Sequence, residues 1–355
     1  MTTAWLSSLL FLSIMITHTL SFTVPLYSGT KSFSNLSSRA SVVAVPLRSN
    51  AAATSSSETE LDVDDSINKI DDDKKSFRSE PAAAYMEDID AYGIMWHANY
   101  LTAYDRAIHL TLPPIHTPIS EATSILDHPD WSIVEVQSQK FKTPLRLGDN
   151  YVVSGTLKSR DGDIEDVWDL VLHAPDDESM VYNMATVRLA RPHDGPQEMF
   201  PNPDPYDVDI IGSYDYRIHR DELFAHLPSH VSLAKAMNIM ERSRTNALGG
   251  PDQLRKMKED DGIVWFVISA NDLCLVRMNE SCIPGQVVSS QLGVKTKRRG
   301  MVFEINHTLT VETADGRTER MAQGKINLMA FDERAGKPTN NIPEWCLKSM
   351  GVLPE

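Results

Sequence analysis

Tyr85-Met86-Glu87-Asp88-Ile89-Asp90-Ala91-Tyr92-Gly93-Ile94-Met95-Trp96-His97-Ala98-Asn99-Tyr100-Leu101 is the stretch on which the reading of this chain turns. It sets a carboxylate, Asp90, three residues ahead of a glycine, and an apolar helical stretch follows at once. Leu101, Tyr104, Ala107 and Ile108, then Leu110, keep helical spacing through Asn99 to Leu112, where Pro113-Pro114 ends the run. An acid beside a glycine turn and a helix start suits attack on a carbonyl. The carboxylate acts on the carbon, and free N–H groups at the helix start hold the oxygen.

Downstream of this helix the pattern changes to strands. Trp131 to Phe141 alternates apolar and polar residues, and Tyr151 to Leu157 follows the turn Leu147-Gly148-Asp149. Val167 to Leu172 and Met180 to Leu189 are joined by the turn at Pro175-Asp176-Asp177. The order then recurs. Val231 to Met240 is helical, Ile263 to Ser269 and Leu273 to Met278 are strand-like, and Pro284-Gly285-Gln286 stands where Leu147-Gly148-Asp149 stood. Val287 to Val294, Val302 to Val311 and Arg320 to Phe331 complete the set, with Asp315-Gly316 as a hairpin turn. Gly148 to Ala190 can be laid over Gly285 to Ala330 with small gaps, which is an internal repeat in element order. The Pro-rich residues 193–213 read as the linker.

The opening segment resembles the signature of the 4-hydroxybenzoyl-CoA thioesterase family of hotdog-fold hydrolases, in its YbgC-like branch. There the pattern runs Glu-Asp-Thr-Asp-Ala-x-Gly-Val-Val-Tyr-His-Ala-Asn-Tyr-Leu, and about a dozen positions here agree with it. Together with the repeat, the resemblance implies an α+β chain of two tandem hotdog domains, each a central helix wrapped by an antiparallel sheet. Residues 81–192 would be the catalytic domain and 214–348 a second, degenerate one. Pairing the two within one chain hides two strand edges. Whether two such double-hotdog chains pair further into a homodimer is left open.

The resemblance implies hydrolysis of an acyl-CoA or acyl carrier protein thioester to a carboxylic acid and a free thiol. No cofactor and no metal are implied. Asp90 would be the catalytic residue, as nucleophile or as general base for a water. The oxyanion donors would be backbone N–H groups at Gly93 and along the turn to His97. His97 would position the aspartate or the water, or donate to the carbonyl; a histidine at a helix start also reads as a capping or core residue. Tyr85 and Asn99 occupy positions that shape the pocket or the helix entry, and Asn99 also reads as an N-cap. Trp96 and Tyr100 either pack in the core or touch substrate. Asp88 either shares a face with Asp90 or is a solvated turn acid. In the second half, Tyr216 to Asp221 laid on Tyr85 to Asp90 puts Asp221 opposite Asp90 and Phe224 at the glycine. His226 and His230 have ligand spacing, but Pro228 stands between them. Substrate would cross the domain interface, its carrier phosphate met by Lys140, Lys142 and Arg146 or by Lys295, Lys297, Arg298 and Arg299, which otherwise form a solvated turn. The rivals are a non-catalytic acyl-binding scaffold and another hotdog enzyme, a dehydratase or an acyltransferase.

Composition narrows the field. A formal charge of −15 argues against a nucleic-acid surface. Eight acids fall between Glu58 and Asp73, within an acidic, disordered spacer assigned to 54–80. Three cysteines, none in a Cys-x-x-Cys pair, read as reduced core thiols. Leu6 to Ile16 resembles the apolar core of a signal peptide (1–21) and is too short to span a bilayer in the mature form. Residues 22–53 are Ser-rich and acid-free and carry Lys31, Arg39 and Arg48, a transit-peptide composition. With Phe22 at the junction, the two parts resemble the plastid presequence of diatoms and related algae and imply the plastid stroma; secretion is the alternative.

Overall fold

Period-two burial sets the strands. In Glu165–His173, for example, Trp168, Leu170 and Leu172 point inward while Asp169 stands exposed between them. The computed structural model describes residues 76–90, 92–112, 131–161, 165–190, 200–220, 223 and 231–352. All of these lie in the unit Ile70–Glu355. The segments read as signal peptide and transit peptide, the spacer up to residue 75, and the first part of the linker lie outside the described residues.

The first half holds β1 (Ser76–Arg78), β2 (Ala82–Ala83), α1 (Asn99–Thr111), β3 (Ser132–Phe141), β4 (Asn150–Asp161), β5 (Glu165–His173) and β6 (Val181–Ala190). The second holds β7 (Gly212–Arg217), α2 (Leu233–Ala247), α3 (Gly250–Lys256), β8 (Ile263–Leu275), β9 (Val287–Lys297), β10 (Val302–Glu312), β11 (Thr318–Asp332), β12 (Lys337–Pro338) and α4 (Glu344–Ser349). One antiparallel sheet runs β1-β4-β5-β6-β3-β8-β11-β10-β9-β7, with β2 on β4 and β12 on β11. Outward from the β3–β8 pair the order is β6-β5-β4 on one side and β11-β10-β9 on the other. The repeat read from the sequence is therefore a repeat of topology, and the fold is α+β, two hotdog domains sharing a sheet. The halves join where Glu135 pairs with Cys274 and Lys140 with Ser269.

Each helix buries one face. On α1 it is Tyr100, Leu101, Ala103, Tyr104, Ala107 and Ile108. On α2 the buried set includes Leu233, Met237, Ile239 and Met240, and also two polar residues, Ser243 and Arg244. Ser232 caps α2 by accepting from the Lys235 N–H at 3.2 Å, whereas α1 begins after Ala98 with no side-chain cap.

Three expectations are corrected. Ser76–Arg78 is ordered as an edge strand on β4, although composition places it in the spacer. Ile263 to Ser269 and Leu273 to Met278 are largely one strand, β8. The polar Asn271-Asp272 between them is a bulge, with Asp272 at a φ of 47° and a register shift against β11. The overlay of the two halves also moves by three residues. The turn glycines Gly148 and Gly285, at φ 83° and 88°, donate to Ala84 and Ile218 respectively, so Ile218 is the counterpart of Ala84. The bridges Ile89–Met95 and Leu223–Val231 repeat that offset at their first residues, and the second loop is longer by two residues. Phe224, not Asp221, then falls at the place of Asp90. Both positions, with His226 and His230, lie outside the described residues.

Candidate active site

The loop ahead of α1 is closed by its own backbone. Met86–Asp88 forms a single 3-10 turn in which Asp88 Oδ2 accepts from the Tyr85 N–H at 3.0 Å. The Asp88 carbonyl takes the Trp96 N–H at 2.8 Å. Asp88 is thus buried and structural, not a solvated acid. Beyond it the chain doubles back. The Asp90 N–H donates to Ile94 at 2.8 Å, and the Gly93 N–H donates to Asp90 at 3.0 Å. Gly93 holds a φ of 76°, which an L side chain adopts only with strain. Met95 N–H to the Leu145 carbonyl, 2.7 Å, docks the loop on the segment before β4, and Tyr100 Oη accepts from the Leu145 N–H at 3.3 Å.

Asp90 stands half-buried in this loop. Its Oδ1 accepts from the N–H groups of Tyr92, 2.7 Å, and Ile94, 3.3 Å, while Oδ2 accepts no hydrogen bond among the described residues. Burial pushes its carboxyl above the usual carboxylate value, and the two N–H groups and the Lys258 charge pull back only part of the way. At the adjoining helix start, the N–H groups of His97 and Ala98 donate to nothing among the described residues.

The second half closes over this loop. Lys258 lies 4.5 Å above the Tyr92 ring. Trp96 Nε1 donates to Asn238 Oδ1 of α2 at 2.7 Å. His97 Nε2 accepts from Arg244 Nη2 at 3.3 Å and lies 3.6 Å from Glu241, which forms an ion pair with Arg244. Burial and the Arg244 charge hold His97 far below its ordinary pKa, so the ring is neutral. Next to these groups is a cleft of about 80 Å³ whose lining includes Tyr92, Glu241, Arg244, Leu248, Met257 and Trp265. Asp90 is not part of that lining; Tyr92, whose N–H its carboxylate accepts, is.

The sequence-derived residues therefore part company. Asp90, Gly93, Trp96, His97 and Tyr100 converge on the loop and its contact with α2. Gly93 shapes the turn, but its N–H is spent on the Asp90 carbonyl, so the free donors stand later, at His97 and Ala98. The His97 side chain makes no hydrogen bond to Asp90; it turns to Arg244. Asn99 is not an N-cap. It is the first helical residue, and its Nδ2 donates to the Glu87 carbonyl at 3.3 Å. Tyr85 is 61% exposed and is not part of that lining. Lys140, Lys142 and Arg146 lie on β3 and the segment after it, and Arg298 and Arg299 turn the β9–β10 hairpin beside Lys295 and Lys297. Glu241, Arg244, Lys258 and Trp265 escaped sequence reasoning, since the only local signal, two charges on the apolar helix of the second half, does not say what they face. Among the described residues no group of three or more His, Cys, Asp or Glu could hold a metal, and no helix is long and apolar enough to cross a membrane.

Solved structures with a similar fold include thioesterases. A protein from Lactobacillus plantarum assigned as an oleoyl thioesterase matches at a TM-score of 0.50 and 11% identity, covering 72% of this chain and 96% of that chain. An acyl-ACP thioesterase from Bacteroides thetaiotaomicron matches at 0.47 and 9%, covering 72% and 98%. A 12:0-ACP thioesterase from Umbellularia californica matches at 0.49 and 12%, covering 72% and 94%. At these identities the likeness is one of fold. No protein-family model and no curated protein sequence matches the chain.

Proposed function

We propose that this chain is an acyl-thioester hydrolase acting on acyl-CoA or acyl carrier protein. One observation carries the reading: a half-buried carboxylate, Asp90, with one oxygen held by two backbone N–H groups and the other accepting no hydrogen bond among the described residues, lies in the loop that leads into a helix start without a side-chain cap. The carboxylate adds to the thioester carbon, or takes a proton from the water that does. The developing oxyanion is met by the N–H groups of His97 and Ala98 and by the positive end of α1. Collapse expels the thiolate, which takes up a proton; where Asp90 itself has added, the mixed anhydride left behind is cleaved by water to restore the carboxylate, and on either route the net reaction adds water across the C–S bond to give acid and thiol. Partial burial makes the Asp90 carboxylate a stronger base than a solvated one. Gly93 keeps the turn, and the buried Tyr100 fixes its base through Leu145. The second half supplies the wall opposite the loop and no second carboxylate at the matching position. The activity named for the solved structures of similar fold points the same way. The Ser-rich, acid-free and basic composition of residues 22–53 supports a plastid location, with secretion as the alternative.

The test is thiol release from a panel of acyl-CoA and acyl carrier protein thioesters, repeated with Asp90→Asn. The asparagine Oδ1 can still accept from Tyr92 and Ile94, so the turn is kept while the charge is lost. Release should fall by about 100-fold or more, as when a key acid–base group is removed. Binding without turnover in both proteins would favour the acyl-binding scaffold. Turnover that survives the substitution would take the chemistry away from Asp90.

A further inference from the structure

The turn that brings the second half onto the Asp90 loop is wound wider than an α-helix. α3 runs straight into Met257–Asp261, a single π turn, and Gly262 ends it at a φ of 73°. Such turns are rare and gather at functional sites. This one carries two neighbours that point different ways. Met257 is buried and lines the cleft, while Lys258 reaches out to 4.5 Å from the centre of the Tyr92 ring. Tyr92 gives its N–H to Asp90 Oδ1, so the turn delivers a positive charge to the Asp90 loop.

Three hydrogen bonds from the hairpin joining β11 to β12 hold that turn. The Glu333 N–H donates to the Gly262 carbonyl at 2.8 Å. Arg334 Nη2 donates to the carbonyls of Glu259 and Asp260, each at 2.8 Å, and these belong to the last turn, where a helix leaves its carbonyls unmet. Asp332 Oδ1 accepts from the Arg334 and Ala335 N–H groups at 2.9 Å and fixes the hairpin itself. The sequence is fitted to this grip. A Cβ on Gly262 would stand 2.8 Å from Arg334 Nε, so glycine serves both the positive φ and the passage of the arginine. Glu333 also reaches Lys258 Nζ, but at 3.7 Å and between side chains 42% and 38% exposed, where an ion pair holds weakly.

Among the described residues Lys258 is the charged side chain that acts on Asp90. On the loop, Asp88 is turned back to the Tyr85 N–H and His97 is neutral. Tyr92 and Tyr100 are phenols held above their ordinary pKa, uncharged wherever a carboxylate titrates. Arg146, before β4, stands exposed beside Ile94.

We propose that Arg334 is a positioning residue for the candidate active site: by gripping the end of the π turn it keeps Lys258 over Tyr92 and so fixes a positive charge beside Asp90. The grip is the clamp on the backbone carbonyls, not the Lys258–Glu333 ion pair. This rests on the hydrolase reading above and adds how the second half sets the working pH range of the same carboxylate.

The acid limb of kcat/KM on one thioester, measured on the full chain, tests it. In Arg334→Met the limb should move to higher pH by about 0.2–0.7 unit, the size of one exposed charge pair. The same substitution made in Lys258→Met should move it no further. An unmoved limb in the single variant overturns the proposal. So does a shift that persists in the Lys258→Met background, which would come from the arginine's own charge. Glu333→Gln separates the clamp from the ion pair by a change at the surface. With the clamp in place Lys258 stays and loses its counter-charge, so the limb should hold or move to lower pH. A limb raised by Glu333→Gln would make the ion pair the grip, and it overturns the proposal even if Arg334→Met fails to fold. Asp90 is also titrated without turnover, through the carboxyl 13C signal of aspartate-labelled protein assigned with Asp90→Asn. If the wild-type protein cleaves no thioester, the hydrolase reading falls, and the midpoint of that signal in the same variants still shows or denies the shift.

Discussion

Asp90 is placed between two demands. A carboxylate that is to attack or accept a proton must be ionised, yet a desolvated one is more reactive. The loop meets both by burying the side chain halfway while aiming two N–H groups at one oxygen. Lys258, reaching over from the second half onto the Tyr92 ring, adds a stabilising charge to the two N–H groups and is itself paired to Glu333 at 3.7 Å. The sign of the pH dependence follows. Only the ionised form works, so the rate should fall as pH drops through the Asp90 pKa, with its midpoint above the carboxylate norm of about 4. Lys258 favours the ionised form, so Lys258→Met should move that acid limb to higher pH. A kcat/KM profile of both proteins on one thioester checks this; an unmoved or lowered limb in the variant would show that Lys258 does not act on the carboxylate.

Elements show which parts of the molecule were legible in the sequence. Strand periodicity located each of the eight strands that make up the two halves of the repeat, because a half-buried strand must alternate to bury one face. It failed at β8, where Asn271-Asp272 has turn chemistry but is absorbed as a bulge. It also missed β1, since three residues are too few to show a period. The Asp90 loop was legible because its acid, glycine and helix start lie within a few residues. Its donors were not: an N–H count is needed to see that Gly93 is spent and that His97 and Ala98 are free. Nor was the overlay of the two halves, which sequence alone set three residues off. The contact between the loop ahead of α1 and α2 is legible only in three dimensions, since Trp96 and Asn238 are 142 positions apart. It offers a test of how the elements couple. Trp96→Phe and Asn238→Leu, singly and together, should give a coupling energy of about 0.5–1.5 kcal/mol in urea unfolding. Strict additivity would mean that the bond does not hold the loop to α2.

At the scale of the whole molecule, the two halves are joined by the β3–β8 ladder and by a buried polar cluster that both contribute to. His97 comes from the first half. Arg244, Glu241, Ser243, Ser290 and His307 come from the second, with Ser243 Oγ 3.5 Å from His307 Nδ1 and 2.8 Å from Ser290 Oγ. His307 is fully buried, and its Nε2 has no partner among the described residues. Burial and the shared Arg244 hold both rings well below the ordinary histidine value, with His307 pressing further on His97. In the unfolded chain both rings take protons near pH 6.5, and in the folded chain they do not. Stability should therefore be complete above about pH 6.5 and fall as pH drops below it, by about 1.4 kcal/mol per pH unit for each ring. Burial raises the Asp105 carboxyl to about 7, so it gains a proton in the folded state across the same window and offsets about one ring's share of the loss. Urea midpoints at pH 7.5, 6.5 and 5.5 should show the net loss, and His307→Gln should lessen the slope by one ring's share, about 1.4 kcal/mol per pH unit. Because the cluster spans the halves, a single unfolding transition should carry the whole effect. Midpoints that stay level down to pH 5.5 would mean that the rings are protonated in the folded protein and that Arg244 is not held against two neutral acceptors.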